Sequence, residues 1–159
     1  MINAVYPVVW NMAGTFSSAS HETDTRMRTD FKIVATHATI DYGGGGHGLV
    51  KVWMKNIGTT SIGRTEINQS DVFTGKDVDF TRVSYSLSWS PTPPPPIPLD
   101  DQWSYSFDDT NSNERWDPGE TLEIDAMSTK LTPAGTTYNV YFQFVLPNGV
   151  WRSTVFTAS

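Results

Sequence analysis

The sequence predicts an all-β protein, an immunoglobulin-like β-sandwich of seven or eight strands with a short helical segment at its N-terminus. Val83, Tyr85, Leu87 and Trp89, then Trp103, Tyr105 and Phe107, alternate with serines. That rhythm sends large side chains to one face of an extended strand and serines to the other. Similar stretches recur from Phe31 to Phe156, separated by glycine, proline and asparagine signals. The chain is also rich in tryptophan, tyrosine and phenylalanine while only 18% of its residues are charged, which favours aromatic cross-strand pairs over charged helices.

Residues 1–29 read as a helical or linker segment ahead of a sandwich domain at 30–159. Val5, Val9, Met12, Ala13, Phe16, Ala19 and Met27 recur at three- and four-residue steps, and Pro7 falls near the first turn, where its missing N–H costs little. Phe31 to Ile40 and Leu49 to Asn56 read as a hairpin about the glycine run 43–46, with Val50, Val52 and Met54 on one face and Lys51, Trp53 and Lys55 on the other. Ile62, Ile67, Val72 and Phe73 suggest a short third strand, and Phe80 to Trp89 a long fourth. Pro91 to Pro98 cannot donate ladder hydrogen bonds and forms a stiff crossover to the strand at Trp103–Phe107. Thr121–Ala126, Tyr138–Val145 and Trp151–Phe156 complete the domain, the last two joined by a tight turn at Leu146-Pro147-Asn148-Gly149.

Charge and composition exclude several function classes. A net charge of -6 and the lack of a basic stripe argue against nucleic acid. The absence of cysteine rules out disulfides, thiolate metal sites and thiol nucleophiles. The glycine run precedes a strand, whereas a phosphate loop opens a helix with Gly-Lys-Ser/Thr, so it reads as a hairpin loop. His21, His37 and His47 belong to no recognisable catalytic motif and read as surface or packed residues. No catalytic residue is expected.

One segment has the spacing of a metal site. Counting Asp109 as position one, Asn111, Asn113, Asp117 and Glu120 fall at positions three, five, nine and twelve, and the Arg115 carbonyl at seven. Those are the ligand positions of a twelve-residue calcium loop, in which oxygen donors wrap a hard cation. Position six departs from the pattern, because Glu114 stands where the turn calls for glycine. The alternatives are a structural Ca2+ site and a solvated acidic turn.

Three ordered segments carry a family resemblance: Lys51 to Ile62 (KVWMKNIGTTSI), followed by SDVF at 70–73; Trp116 to Ile124 (WDPGETLEI); and Tyr138 to Val150 (YNVYFQFVLPNGV). With VYPVVWNMAGTFSSAS and RMRTDFKIVATHA before them, they resemble the soluble domain of archaeal flagellar (archaellum) accessory proteins, nearer to FlaG than to FlaF. The resemblance implies an extracytoplasmic domain of the cell envelope, anchored by a membrane helix upstream. It implies a non-catalytic part of the motor that self-associates or pairs with a FlaF-like partner and anchors the stationary element to the envelope or its S-layer. The proline tract and the calcium-like loop are not part of the family pattern.

Trp53, flanked by Lys51 and Lys55, is the candidate partner-binding surface, although burial beneath the N-terminal segment explains it equally well. An archaellin-like filament subunit is one rival reading. A carbohydrate-binding module using Trp53, Trp89, Trp103 or Trp151 as a sugar platform is another.

Overall fold

The computed structural model describes residues 28–42, 46–91, 93–131 and 137–158. These form β1 (Phe31–Thr39), β2 (Gly48–Asn56), β3 (Ile62–Gly63), helix α1 (Arg64–Asn68), β4 (Asp71–Lys76), β5 (Asp79–Ser90), β6 (Gln102–Phe107), β7 (Arg115–Trp116), β8 (Thr121–Ser128), β9 (Tyr138–Val145) and β10 (Trp151–Ala158). Eight strands hydrogen-bond in the order β1-β2-β8-β6-β5-β4-β9-β10, and β3 pairs with β7. The long sheet folds over until its two edge strands, β1 and β10, lie side by side. The result is a sandwich, with β1, β2, β8 and β6 in one layer and β4, β9 and β10 in the other. The predicted N-terminal helix lies outside the described residues.

Alternation builds the core. Val50, Val52 and Met54 of β2, Trp103, Tyr105 and Phe107 of β6, and Leu122, Ile124 and Ala126 of β8 are buried on the inner face of the first layer. Val72, Val140, Phe142 and Phe144 answer from the second. Phe144 meets Phe31 edge-on at 5.6 Å and Trp103 at 6.1 Å, so aromatic edges join the layers.

Strand β5 belongs to both layers. Its first half pairs antiparallel with β4, from Asp79 to Val83, and its second half pairs parallel with β6. A parallel pair needs a crossover, and the proline tract supplies it. The sequence places Leu87 with Val83, Tyr85 and Trp89, but the structure leaves it 94% exposed. Tyr85 pairs with Trp103 and Trp89 with Tyr105, so β5 spends two extra residues where β6 advances two, and Leu87 bulges outward. The predicted third strand is also divided, since Ile67 is the buried residue of α1 between β3 and β4. That helix begins where Glu66 Oε1 accepts the Gly63 N–H at 3.2 Å and ends where Ser70 Oγ donates to the Glu66 carbonyl at 2.9 Å.

Both predicted hairpins form. Asp41 Oδ1 accepts the Gly46 N–H at 2.8 Å at the head of β1–β2. At β9–β10, the Gly149 N–H donates to the Leu146 carbonyl at 2.9 Å with Gly149 at φ +91°.

Two of the motif segments meet at one joint. The buried Asn56 side chain donates to the carbonyls of Thr60 (3.0 Å) and Trp116 (2.9 Å) and accepts the Gly58 N–H (3.0 Å). Its backbone N–H donates to the Glu120 carbonyl, and its carbonyl accepts from Gly119. Gly58 packs so closely that an added Cβ would sit 2.3 Å from the Arg28 carbonyl oxygen. Replacing Asn56 by Ala strands buried backbone groups. Chemical denaturation of Asn56→Ala is expected to show a loss of about 2–4 kcal/mol, and a loss below about 0.5 kcal/mol would contradict the joint.

Candidate partner-binding surface

The outer face of the first layer carries Lys51, Trp53 and Lys55 from β2, Glu123 and Asp125 from β8, and Ser104 and Ser106 from β6. Register sets Lys51 beside Asp125 and Trp53 beside Glu123, with the two serines on the far side. A proline strap roofs the serine side. Ser104 Oγ donates to the Pro96 carbonyl, and Pro95 and Pro98 are buried. The strap's far end is held by Asp101, whose carbonyl accepts the Ser84 N–H and whose carboxylate accepts from Thr129. His47 Nδ1 lies 2.8 Å from the Asp100 carboxylate.

The strap buries charge. Asp125 is 0% exposed, and among the described residues no close hydrogen bond reaches its carboxylate. Lys51 Nζ lies 3.5 Å from Asp125 and 3.8 Å from Glu123. Burial pushes the Asp125 carboxyl up to about 7; Lys51 opposes the shift and Glu123 adds to it. The Lys51 ammonium is therefore engaged within the fold. Trp53 is half-buried and Lys55 exposed, so the three predicted partner-binding residues do not form one projecting patch.

The 109–120 loop folds around its own carboxylates. Asp109 accepts the N–H groups of Asn113 (3.1 Å) and Glu114 (2.7 Å). The side-chain amides of Asn111 and Asn113 both reach Asp117 Oδ2 at 2.8 Å. Glu120 closes the ring, accepting the N–H groups of Asp117 (2.9 Å) and Thr110 (3.2 Å). The Arg115 side chain leaves the loop and donates to the Ser61 carbonyl at 2.9 Å. Burial works to raise the Asp117 pKa, but hydrogen bonds from Ser61, Asn111 and Asn113 and the charge of Arg115 hold it below the usual carboxylate range. Glu114 adopts φ +59°, so it takes the left-handed turn without glycine. Its carboxylate meets Arg64 at 2.6 Å, and the Arg64 guanidinium lies over Trp89 at 3.9 Å. Among the described residues, no three His, Asp or Glu side chains are gathered as a metal cluster. The loop offers mixed amide, carboxylate and backbone oxygens instead.

The outer face of the second layer was missed by sequence reading. It carries Trp151, Ser153 and Val155 from β10, Tyr141, Gln143 and Val145 from β9, Asp71 and Phe73 from β4, and Phe80 and Arg82 from β5. Cross-strand register aligns Trp151 with Val145, and Val155 with Tyr141. Gly75 lies between Tyr141 and Phe80 in the ladder, and across it the two rings stack at 4.2 Å. In YNVYFQFV one parity, Tyr138, Val140, Phe142 and Phe144, is fully apolar and faces inward, while the other mixes Tyr141 and Val145 with Asn139 and Gln143. Of the proposed sugar-platform tryptophans, Trp103 is buried, Trp53 and Trp89 are half-buried, and Trp151 is 51% exposed.

No protein-family model matches the chain. An uncharacterized protein of Archaeoglobus fulgidus is 24% identical over 158 residues, spanning 98% of this chain and 86% of its own. The crystal structure of archaeal flagellin FlaB1 from Methanocaldococcus jannaschii superposes with a TM-score of 0.60 at 12% identity, over 82% of this chain and 90% of that one. The chain thus has the fold of an archaeal flagellin. The archaellum periplasmic stator protein FlaG from Sulfolobus acidocaldarius is similar at a TM-score of 0.47 and 22% identity, covering 77% of this chain and 100% of that one. A chain from the FlaF and FlaG complex of the same organism gives 0.48 and 21%, covering 79% and 92%.

Asp125 has a consequence for stability. Unfolded, an aspartate titrates near 4; folded, Asp125 titrates at about 7. Its contribution is therefore full below about pH 4 and is lost as pH rises through 7. Asp125→Asn is expected to flatten the decline in unfolding free energy between pH 5 and pH 8, on the order of 1–3 kcal/mol. Parallel pH profiles for the variant and the parent would contradict a protonated, buried Asp125.

Proposed function

We propose that the chain is a non-catalytic structural component of the archaellum, an extracytoplasmic domain that acts by docking onto neighbouring proteins. The observation that carries this reading is the joint at Asn56. The segments that resemble FlaG, KVWMKNIGTTSI and WDPGETLEI, are far apart in sequence, yet they are tied together by the Asn56 bonds to Trp116 and Glu120. The resemblance thus falls on residues that build one piece of architecture, and archaeal flagellin supplies a precedent for the fold within the same appendage. In this reading the domain is held at the membrane by an upstream helix and works as a homo-oligomer or with a FlaF-like partner.

The flagellin fold also favours a second reading, a filament subunit. Deleting the gene from the source organism and labelling the protein on its cells separates the two. An accessory role is expected to abolish swimming, with label confined to the cell envelope. Label along the filament would transfer the chain to the second reading, and normal swimming would remove both.

For the 109–120 loop we propose a structural calcium ion, held by Asp109, Asn111, Asn113, Asp117, Glu120 and the Arg115 carbonyl. The left-handed Glu114 and the converging side chains of Asn111, Asn113 and Asp117 support it. Calcium would offset the repulsion of three carboxylates and lock the turn that feeds β7 and β8. Calcium in place of a chelator is expected to raise the melting temperature by several degrees in the parent chain and not in Asp109→Ala. Equal melting temperatures in calcium and chelator would leave the loop a hydrogen-bonded acidic turn.

A further inference from the structure

We propose that the proline strap is a proton-operated latch, which closes over β6 and β8 while Asp125 holds a proton and lifts when Asp125 gives that proton up. The inference goes beyond the docking reading and does not depend on it, because it concerns how the chain covers its own sheet.

Counting charge on the covered face shows what closure requires. Glu123 is 5% and Asp125 0% exposed, and Lys51 Nζ lies 3.5 Å from Asp125 and 3.8 Å from Glu123. With both acids ionised, one ammonium faces two carboxylates, and a net negative charge is held out of water at a high cost. On the β6 side stand Ser104 and Ser106, which do not titrate. The Ser104 hydroxyl is committed to the Pro96 carbonyl, and the buried Ser106 hydroxyl has no partner among the described residues. On the β2 side, the next group in register beyond Lys51 is His37 of β1, which is exposed. The strap brings no cation, since residues 91–99 are proline, threonine, isoleucine and leucine. At its end Asp100 lies against His47, and Asp101 accepts from Thr129. A proton is therefore the charge that balances the closed form. Asp125 is its seat, since burial pushes that carboxyl up to about 7, with Lys51 opposing the shift and Glu123 adding to it.

The roof is lightly held. Ile97 and Leu99 are 53% and 74% exposed, so its largest apolar side chains face solvent, while Pro95 and Pro98 are buried against the sheet. Its far end is tied at Asp101, to Ser84 and Thr129, and its near end continues from β5. Between them the Ser104 hydroxyl holds the Pro96 carbonyl. A segment with few buried apolar groups opens locally without unfolding the domain beneath it.

Linkage sets the direction. Once the strap lifts, water reaches both carboxylates, and a hydrated aspartate titrates near 4. The closed form thus holds its proton more tightly than the open form does. Each pH unit between about 4 and about 7 shifts the balance towards opening by up to about tenfold. Closure is fullest below about pH 4 and weakest above about pH 7.

Paired spin labels test this on the full 159-residue chain, which has no cysteine of its own. Labels at Ile97→Cys, on the strap, and Lys55→Cys, exposed on β2, report their separation by pulsed electron resonance in samples frozen from about pH 4 and about pH 8. A narrow distance distribution is expected at the lower pH and a longer, broader one at the higher, reverting when the acid is restored. Asp125→Asn removes the charge that closure would bury, and Glu123→Gln leaves one carboxylate for one ammonium. Each variant is therefore expected to keep the narrow distribution at the higher pH. A parent chain with the same distribution at both pH values overturns the proposal, as does opening that survives either substitution. Loss of the near-ultraviolet circular dichroism of the buried tryptophans at the higher pH would also overturn it, because the whole domain would then be unfolding. None of these results bears on archaellum membership, which the swimming and labelling experiment decides separately.

Discussion

The parallel pairing of β5 with β6 is the constraint from which the rest of the molecule follows. Antiparallel neighbours can be joined by a tight turn, but a parallel neighbour requires the chain to cross the sheet and start again from the same end. Here the return is a proline tract, stiff and without donors, and it runs across the outer side of the first layer. The serines that alternate with Trp103 and Tyr105 accordingly face the strap, and Ser104 supplies a hydroxyl to the Pro96 carbonyl. Asp125, in register with Ser104, loses its water and takes a proton-holding character with Lys51 at its side. Among the described residues no comparable crossover covers the other layer, whose outer face mixes Trp151, Val155 and Phe80 with Ser153, Gln143 and Arg82.

This arrangement separates two kinds of surface on one sheet protein. One outer face is closed by the chain itself and buries carboxylates, which makes stability depend on pH. The other mixes rings and aliphatic groups with polar side chains such as Ser153 and Gln143. A cleft that gathers reactive groups is not what distinguishes the two. The difference is which face the chain had to spend on its own crossover, and that is why the functional argument turns on docking. The acidic loop plays a third part: it wraps its carboxylates around backbone donors between β6 and β8, and so positions Trp116 against Phe31 at 5.7 Å.

Much of this was legible in the residues. The alternation at Trp103–Phe107, the two hairpins and the crossover are local patterns, and local patterns determine strand existence and facing. Leu87 was misread because a bulge depends on the partner strand: only pairing with β6 shows that two residues of β5 are surplus. Ile67 was misread because four spaced apolar residues fit a strand as readily as a short helix between two strands. The burial of Glu123 and Asp125 has no local signal in β8, because it depends on what lies over that face of the sheet. The outer face of the second layer could not be read from β9 alone, because its make-up depends on the sheet order, which brings β10, β9, β4 and β5 together. Of the proposed partner residues, Lys51 was correctly assigned to its face, yet the acids that occupy it come from a strand about 70 residues further along.

In the proposed reading this protein acts by docking onto neighbouring proteins, and of the described tryptophans Trp151 is the most exposed. The chain's tryptophans provide a direct reading, because each indole N–H gives its own nuclear magnetic resonance signal. On diluting the full chain from millimolar to micromolar concentration, the Trp151 signal is expected to shift continuously while those of the buried Trp103 and Trp116 stay fixed. A Trp151 signal that does not move, or a shift confined to Trp53 on the opposite layer, would contradict the claim.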